Sequence, residues 1–506
     1  MSTQSILAHS ACELRALVAS RQLSPRELMD ACIEQIERYN PAVNAICATD
    51  FERARQQARV AEQALMRPTE LPLLHGLPLG VKDLQATAGL LTTCGNVRLR
   101  GHIPEADVSL VAKLRQAGAI VTAKTNTPDM GAGANTRNPV WGATGNPFNP
   151  SLNAGGSSGG SAAALATRML PLCTGSDTGG SLRIPASLCA VVGMRPSPGV
   201  VANDMRPLAW SAISVLGPMG RDVNDAALML QASLGPHPMD PLSTGVRLDP
   251  VWPIKPVDLK GLRVGYTEDF GACSVDPMIR RVFRDRIQAI VSEVGSCEPL
   301  GWDLTDGHRC FDIIRAESFV AAFAEVYRTQ PETLGPNVRA NVEMAASITL
   351  ADRAWAHRVQ TQVMRQFQSA FERYDLILAP VTPVTPFPWT DLYASVVEGR
   401  AQRNYYEWLS LTYMVTLATN PAVALPCGRD EVGMPFGLQL VGPLHQDGRL
   451  LSMAAALEQR FADVPACRQP VVDWRMLESA RPELQSIVTH PPMFEGIEAT
   501  ASHNAV

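Results

Sequence analysis

Gly155-Gly156-Ser157-Ser158-Gly159-Gly160-Ser161 and Gly175-Ser176-Asp177-Thr178-Gly179-Gly180-Ser181-Leu182-Arg183-Ile184-Pro185 stand inside a 506-residue chain. Taken alone, a Gly/Ser run is a turn or a linker. These two lie between apolar elements rather than between domains. Paired glycines also let a backbone approach a ligand and turn its N–H groups inward. A nucleotide phosphate loop would end in Gly-Lys-Ser/Thr, and neither run contains a Lys. Gly155-x-Ser157-x-Gly159 and Gly156-x-Ser158-x-Gly160 fit the GxSxG elbow, but any Gly/Ser run generates that pattern. The elbow also needs a strand directly before it. Asn149-Pro150-Ser151-Leu152-Asn153-Ala154 reads as no strand.

Outward from these runs the texture alternates. Residues 161–169 are small and read as a helix able to pack closely on a sheet. Residues 131–160 read as a long irregular loop, and such loops are usually functional. Ala119–Ala123, Leu77–Val81, Leu262–Tyr266, Leu376–Ala379 and Gly437–Val441 read as strands, and residues 107–118 as a helix. Nearer the N-terminus, Ser24-Pro25-Arg26-Glu27 is a capping box with Pro at the first helical position. Leu28, Cys32, Ile33 and Ile36 follow on one face, and Asn40-Pro41 is expected to end that helix. A second helix is expected near Phe51–Met66. This rhythm predicts an α/β fold with helices covering a central sheet.

Composition narrows the function classes. A net charge of −5 without a Lys/Arg run excludes a nucleic-acid footprint. No apolar stretch approaches the ~20 residues of a membrane span. Glu13 and Arg15, with no apolar core beside them, exclude a secretory signal. Eleven scattered cysteines fit free thiols in a reducing, cytoplasmic compartment. No HExxH or tight His/Cys cluster is present, so neither metal nor cofactor is expected. Of 44 basic residues only Lys82, Lys113, Lys124, Lys255 and Lys260 are Lys. Arg stays protonated in proteins whereas Lys can lose its proton.

The two runs, with Gly80-Val81-Lys82-Asp83, resemble the amidase signature family. Ser157 and Ser181 are 24 residues apart and Lys82 lies 75 before Ser157, which are the family's spacings. Leu216–Val223, Tyr374–Pro380, Asn420-Pro421-Ala422 and Gly433–Gly442 resemble further family segments. The resemblance covers roughly residues 10 to 460. It implies a single large α/β/α domain around a central mixed sheet, with helices on both faces. Residues 1–70 would then be N-terminal helices packed on, and continuous with, the 71–465 core. Residues 466–506 would form a peripheral tail.

The resemblance makes Ser181 the nucleophile, Ser157 its proton relay after a cis Gly156–Ser157 bond, and Lys82 the base. The chemistry agrees. A hydroxyl at its free pKa is a poor nucleophile, and no His lies near either run. A Lys near 10.4 becomes a base when burial lowers its pKa, and Leu77, Leu79, Val81 and Leu84 could supply that burial. A surface ion pair between Lys82 and Asp83 is the alternative. The backbone N–H groups of Thr178, Gly179, Gly180 and Ser181 are expected to form the oxyanion hole, Ser158 to support the relay, and Asp177 and Arg183 to hold the turn. Lys124 is read as structural.

The implied reaction is carbon–nitrogen amide hydrolysis, extending to esters and urethanes. The alternative is the glutamine-hydrolysing component of a tRNA-dependent amidotransferase. Met130, Trp141 and Trp210 are candidates for the substrate pocket. Met205, Tyr405, Tyr406, Trp408 and Tyr413 are weaker ones. Together they suggest a small apolar or aromatic amide substrate, with no nucleic-acid or membrane partner. A homodimer is allowed.

Overall fold

Apolar runs without polar alternation form strands covered on both faces, and such runs build the centre of this protein. The computed structural model describes residues 2–66, 70–246 and 249–492. Eleven strands form one sheet. In chain order they are β1 (Ile46–Thr49), β2 (Pro78–Lys82), β3 (Ile120–Thr125), β4 (Leu172–Asp177), β5 (Val192–Arg195), β6 (Val215–Gly220), β7 (Arg263–Tyr266), β8 (Ser296–Pro299), β9 (Leu376–Pro380), β10 (Ala422–Arg429) and β11 (Pro435–Val441). Across the sheet the order is β1-β3-β2-β4-β6-β5-β10-β11-β9-β7-β8. β2 runs parallel to β3 and β4, and β7 parallel to β8 and β9. The remaining neighbours are antiparallel, so the sheet is mixed. β2, β6, β9 and β11 are buried at every residue. Helices therefore cover both faces, as expected of an α/β/α fold.

The N-terminal segment supplies more than helices. β1 joins the edge of the sheet, with Ile46 opposite Thr125. The helix Pro25–Val43 starts with the expected capping box of Ser24 and Glu27. Pro41, expected to end it, lies inside its last turn instead. Asn40 makes this possible: its side-chain oxygen accepts the N–H groups of Ala45 and Ile46, each at 2.8 Å. Asn44 then closes the helix in a left-handed conformation.

The 131–160 stretch holds more structure than expected. Arg137–Asn138 pairs with Gly142–Ala143, and Gly145–Asn146 with Asn149–Asn153. Asn149–Asn153 is thus a strand, contrary to the reading of its sequence. Its two-stranded hairpin stands outside the main sheet, where a short strand tolerates Pro150, and its other edge bridges to Pro388 through Leu152. The tail is anchored as far as it is described. Its helix Trp474–Ser479 packs Trp474 against Tyr39, ring centroids 5.1 Å apart and tilted, and Leu477 and Leu484 are buried. Residues 493–506 of the expected tail lie outside the described residues. Among the described residues no helix is long and apolar enough to cross a membrane.

A carboxyl cluster joins three helices. Asp225 accepts the N–H of Cys12 at 3.0 Å, and Glu458 accepts that of Val223 at 3.1 and 3.2 Å. Burial, reinforced by the neighbouring Asp222, pushes Asp225 up to about 7 and Glu458 up to about 8. Asp222 is raised as well, again by burial. Between about pH 4, where unfolded carboxyls titrate, and these raised values, the folded state binds more protons. Their stabilisation is complete below that lower limit and is lost as pH rises through about 7 to 8. Glu458→Gln is expected to flatten the fall of Tm with rising pH. A slope equal to that of the wild type would show that Glu458 is not part of it.

Candidate active site

β2 ends on Lys82, and β4, beside it, carries Thr174, Ser176 and Asp177. The helix Gly159–Ala166 begins directly after Ser157-Ser158. Ala162, Ala163 and Ala164 are fully buried. At Gly160 a Cβ would collide with the backbone nitrogen of Asn126, just past the end of β3. Small residues therefore let this helix press its N-terminus onto the sheet, which sets both serines over the end of β2.

Lys82 is 0% exposed. Its Nζ lies 2.7 Å from Ser157 Oγ, 2.9 Å from Ser158 Oγ and 2.9 Å from Ser176 Oγ. Burial lowers its pKa to about 7, against the opposing charge of Asp177. The alternative ion pair with Asp83 is not formed. That carboxylate accepts Thr93 Oγ1 at 2.6 Å and the Thr93 N–H at 3.1 and 3.2 Å. Lys124 donates to Thr87 Oγ1 at 2.9 Å and to the Gln85 carbonyl. Gln85 in turn accepts Thr174 Oγ1 at 2.5 Å, and Thr174 Oγ1 accepts the Lys82 N–H at 2.9 Å.

The second run is folded around Asp177. Its carboxylate accepts the N–H groups of Gly180 at 2.9 Å and Leu182 at 3.2 Å. Arg183 grips it with Nε at 3.0 Å and Nη2 at 2.9 Å, and Arg195 Nη1 adds a contact at 3.2 Å. Burial alone would raise this carboxyl; the two guanidinium groups hold it well below the usual range instead. Arg183 also reaches the Thr412 carbonyl at 2.8 Å, Gln439 at 2.5 Å and Thr416 at 2.9 Å. The Gly180 N–H is therefore engaged by Asp177, and of the four expected oxyanion donors it is not free. Gly179 and Ser181 have no acceptor for their N–H groups among the described residues. Gly180 has φ +125°, and a Cβ there would run into Thr412 Oγ1. Ser158 N–H donates to the Ser181 carbonyl at 3.2 Å, tying the two runs together. The Gly156–Ser157 bond is cis.

Ser157, Ser176, Thr178, Gly179 and Ser181 border one cavity of about 230 Å³. Its apolar wall includes Leu84, Leu208, Ile213 and Leu409, and the expected Met130 is there too. Trp141 is not: it is buried against Ala48 and Val140, and its indole N–H donates to Thr93 Oγ1 at 2.7 Å. Trp210 is 79% exposed and Met205 is exposed as well, so neither lines the cavity. Tyr405, Tyr406, Trp408 and Tyr413 are buried behind the wall. Tyr413, for example, stacks on Phe311 at 4.3 Å.

Several lining residues escape a reading of the sequence. Ser176 could have been found, since Thr174 and Ser176 alternate on one face of β4. Phe311, Arg315, Phe319 and Phe323 all border the cavity from the helix Asp306–Thr329. Their spacing of four marks one helical stripe. Arg206 carries no comparable local signal.

Comparison with known proteins follows the same lines. The pattern of the family described as Amidase matches residues 27–451. The A-type component of glutamyl-tRNA(Gln) amidotransferase from Cyanothece sp. is 32% identical over 473 residues, 88% of this chain and 97% of the relative. Its counterpart of the same name from Acaryochloris marina is 33% identical over 466 residues, 87% and 95% of the two chains. Among solved structures, a bacterial aryl acylamidase of the amidase signature family has a TM-score of 0.84 at 28% identity, over 90% of this chain and 98% of its own. The structure of 6-aminohexanoate cyclic dimer hydrolase gives 0.80 at 26% identity, over 92% and 99%. Sheet, serine-rich turns and buried lysine thus sit inside a match that runs through most of the sequence, and this chain belongs to the amidase signature family.

Proposed function

We propose that this protein hydrolyses a carbon–nitrogen amide bond, with Ser181 as nucleophile, Ser157 as proton relay and neutral Lys82 as terminal base. The observation that supports this most is the buried Lys82 Nζ, held by three serine hydroxyls. A protonated amine would donate to all three. A neutral amine donates to two and accepts from the third, which is the arrangement a relay requires. The Ser181 proton then passes to Ser157 Oγ as the Ser157 proton passes to Lys82. Ser181 Oγ bonds to the carbonyl carbon, and the oxyanion turns toward the N–H groups of Gly179 and Ser181. One such donor is typically worth about 2.7–4 kcal/mol in the transition state. Collapse expels the amine, which takes the proton back through Ser157. Water releases the acyl group by the same route. Esters and urethanes fit the chemistry as well.

The test is turnover of a panel of linear anilides, primary amides, urethanes, esters and glutamine, before and after exhaustive chelation. Amide cleavage that survives chelation is the expected result. Activity lost on chelation and restored by zinc would overturn the serine mechanism. The likeness to glutamyl-tRNA(Gln) amidotransferase components favours a second reading, glutamine hydrolysis that feeds a tRNA-dependent partner. Glutamine-dependent amidation with co-purifying partner chains would select it.

A further inference from the structure

We propose that the substrate carries a carboxylate, received by Arg315 with Arg206 in the cavity beside Ser181; this rests on the amidase reading above. The cavity lining includes two guanidinium groups and no Asp or Glu. Arg315 is 7% exposed. It donates from Nη2 to the Tyr405 hydroxyl at 2.5 Å, and its Nε has no acceptor. The rings of Phe319, Tyr406, Tyr405 and Phe311 surround it at 4.7, 5.1, 5.5 and 5.9 Å. No carboxylate pairs with it among the described residues. The acids nearest in sequence are engaged elsewhere: Asp312 on Arg403 at 3.0 Å and on the Tyr406 hydroxyl at 2.7 Å, and Glu317 on Arg353.

Arg315 is therefore a buried cation without a counter-ion, and it cannot shed its proton. Aromatic faces offset part of that cost, and an arriving anion would offset the rest. Arg206, 8% exposed, is only half answered. Its Nη1 donates to Asp240 at 3.1 Å and to the Ala209 carbonyl at 2.8 Å, while Nε and Nη2 have no acceptor. Planar forks match a carboxylate, and a small cavity walled by Leu84, Met130, Phe319 and Phe323 suits a short apolar or aromatic spacer. The substrate class is an amide with an apolar body and an anionic end.

Matched pairs test this. With the carboxylate on the amine side, 4-acetamidobenzoate is compared with its methyl ketone. With it on the acyl side, succinanilate is compared with its methyl ketone. At least one carboxylate should exceed its neutral partner on the order of tenfold in kcat/KM. Arg315→Met should collapse that ratio toward one, and Arg315→Lys should keep part of it. Thermal shift with 3-phenylpropionate against 4-phenylbutan-2-one reads anion binding without any turnover. The carboxylate should raise Tm more, and the difference should shrink in Arg315→Met. Should that variant fail to fold, Arg315→Lys and Arg206→Gln carry the same comparison. Equal or better use of the neutral partners, with no preferential thermal shift, overturns the proposal. So does a loss in Arg315→Met that is the same for both members of a pair. Absence of covalent labelling at Ser181 would instead sink the hydrolase reading, while the thermal shift would still report on Arg315.

Discussion

Ser181→Ala is expected to abolish both amide turnover and covalent labelling by a fluorophosphonate, with Tm close to that of the wild type. The loss of a serine nucleophile that works with its base as a unit costs on the order of 10⁶-fold in kcat. Stability should be spared because Ser181 borders the cavity and is only partly buried. Its carbonyl, which accepts from Ser158, is unaffected by the substitution. Intact-mass analysis after labelling decides the assignment. An adduct on Ser157 or Ser158, or one that persists in Ser181→Ala, would move the nucleophile elsewhere.

Lys82→Arg should lower kcat/KM by at least ~100-fold, in line with typical general-base magnitudes. Arg keeps the cation but cannot accept a proton at working pH. The wild-type pH profile supplies the sign. Burial lowers the Lys82 pKa to about 7, so the working, neutral form is depleted below that value and complete above it. Activity should rise with pH through about 7 and then level off. An arginine here also brings a permanent charge into a buried pocket where no carboxylate pairs with residue 82 directly, so its Tm must be measured alongside. Lys82→Met removes the base without that burden, and the same loss is expected. Near-wild-type rates in a folded Lys82→Arg protein would leave the Ser157 relay without an acceptor.

Much of this was legible in the sequence because it is local. Capping residues, apolar strand runs and Gly/Ser turns act within a few positions of themselves. The helix at Pro25, a strand at Leu77–Val81 and the two serine-rich turns could therefore be placed without a structure. What depends on distant partners could not be placed. Pro41 reads as a stop only until the Asn40 side chain is seen to cap Ala45 and Ile46. Asn149–Asn153 reads as loop because its partners are a two-residue strand just before it and the distant residues 387–389. Trp141 and Trp210 lie in segments that could line a pocket, yet position in a segment does not say which side of a wall a ring faces. The Gly180 N–H looks free in a run of glycines and is engaged once Asp177 folds back over it. That Arg315 lacks a counter-ion is a fact about Asp312 and Glu317 being engaged elsewhere, and no motif carries it.

The cavity floor comes from Ser157, Ser176 and Ser181, within a few tens of residues and with Lys82 buried beneath them, whereas the aromatic stripe and Arg315 at 311–323 lie on a separate helix more than a hundred residues later. On the proposed function, bond breaking and substrate choice sit on separate stretches of one gene. Mutations on the wall helix can redraw what is accepted without touching the proton path, and the floor can be inherited intact while the wall drifts. For a laboratory seeking altered selectivity, positions 311, 315, 319 and 323 form a short cassette that can be randomised in a single oligonucleotide.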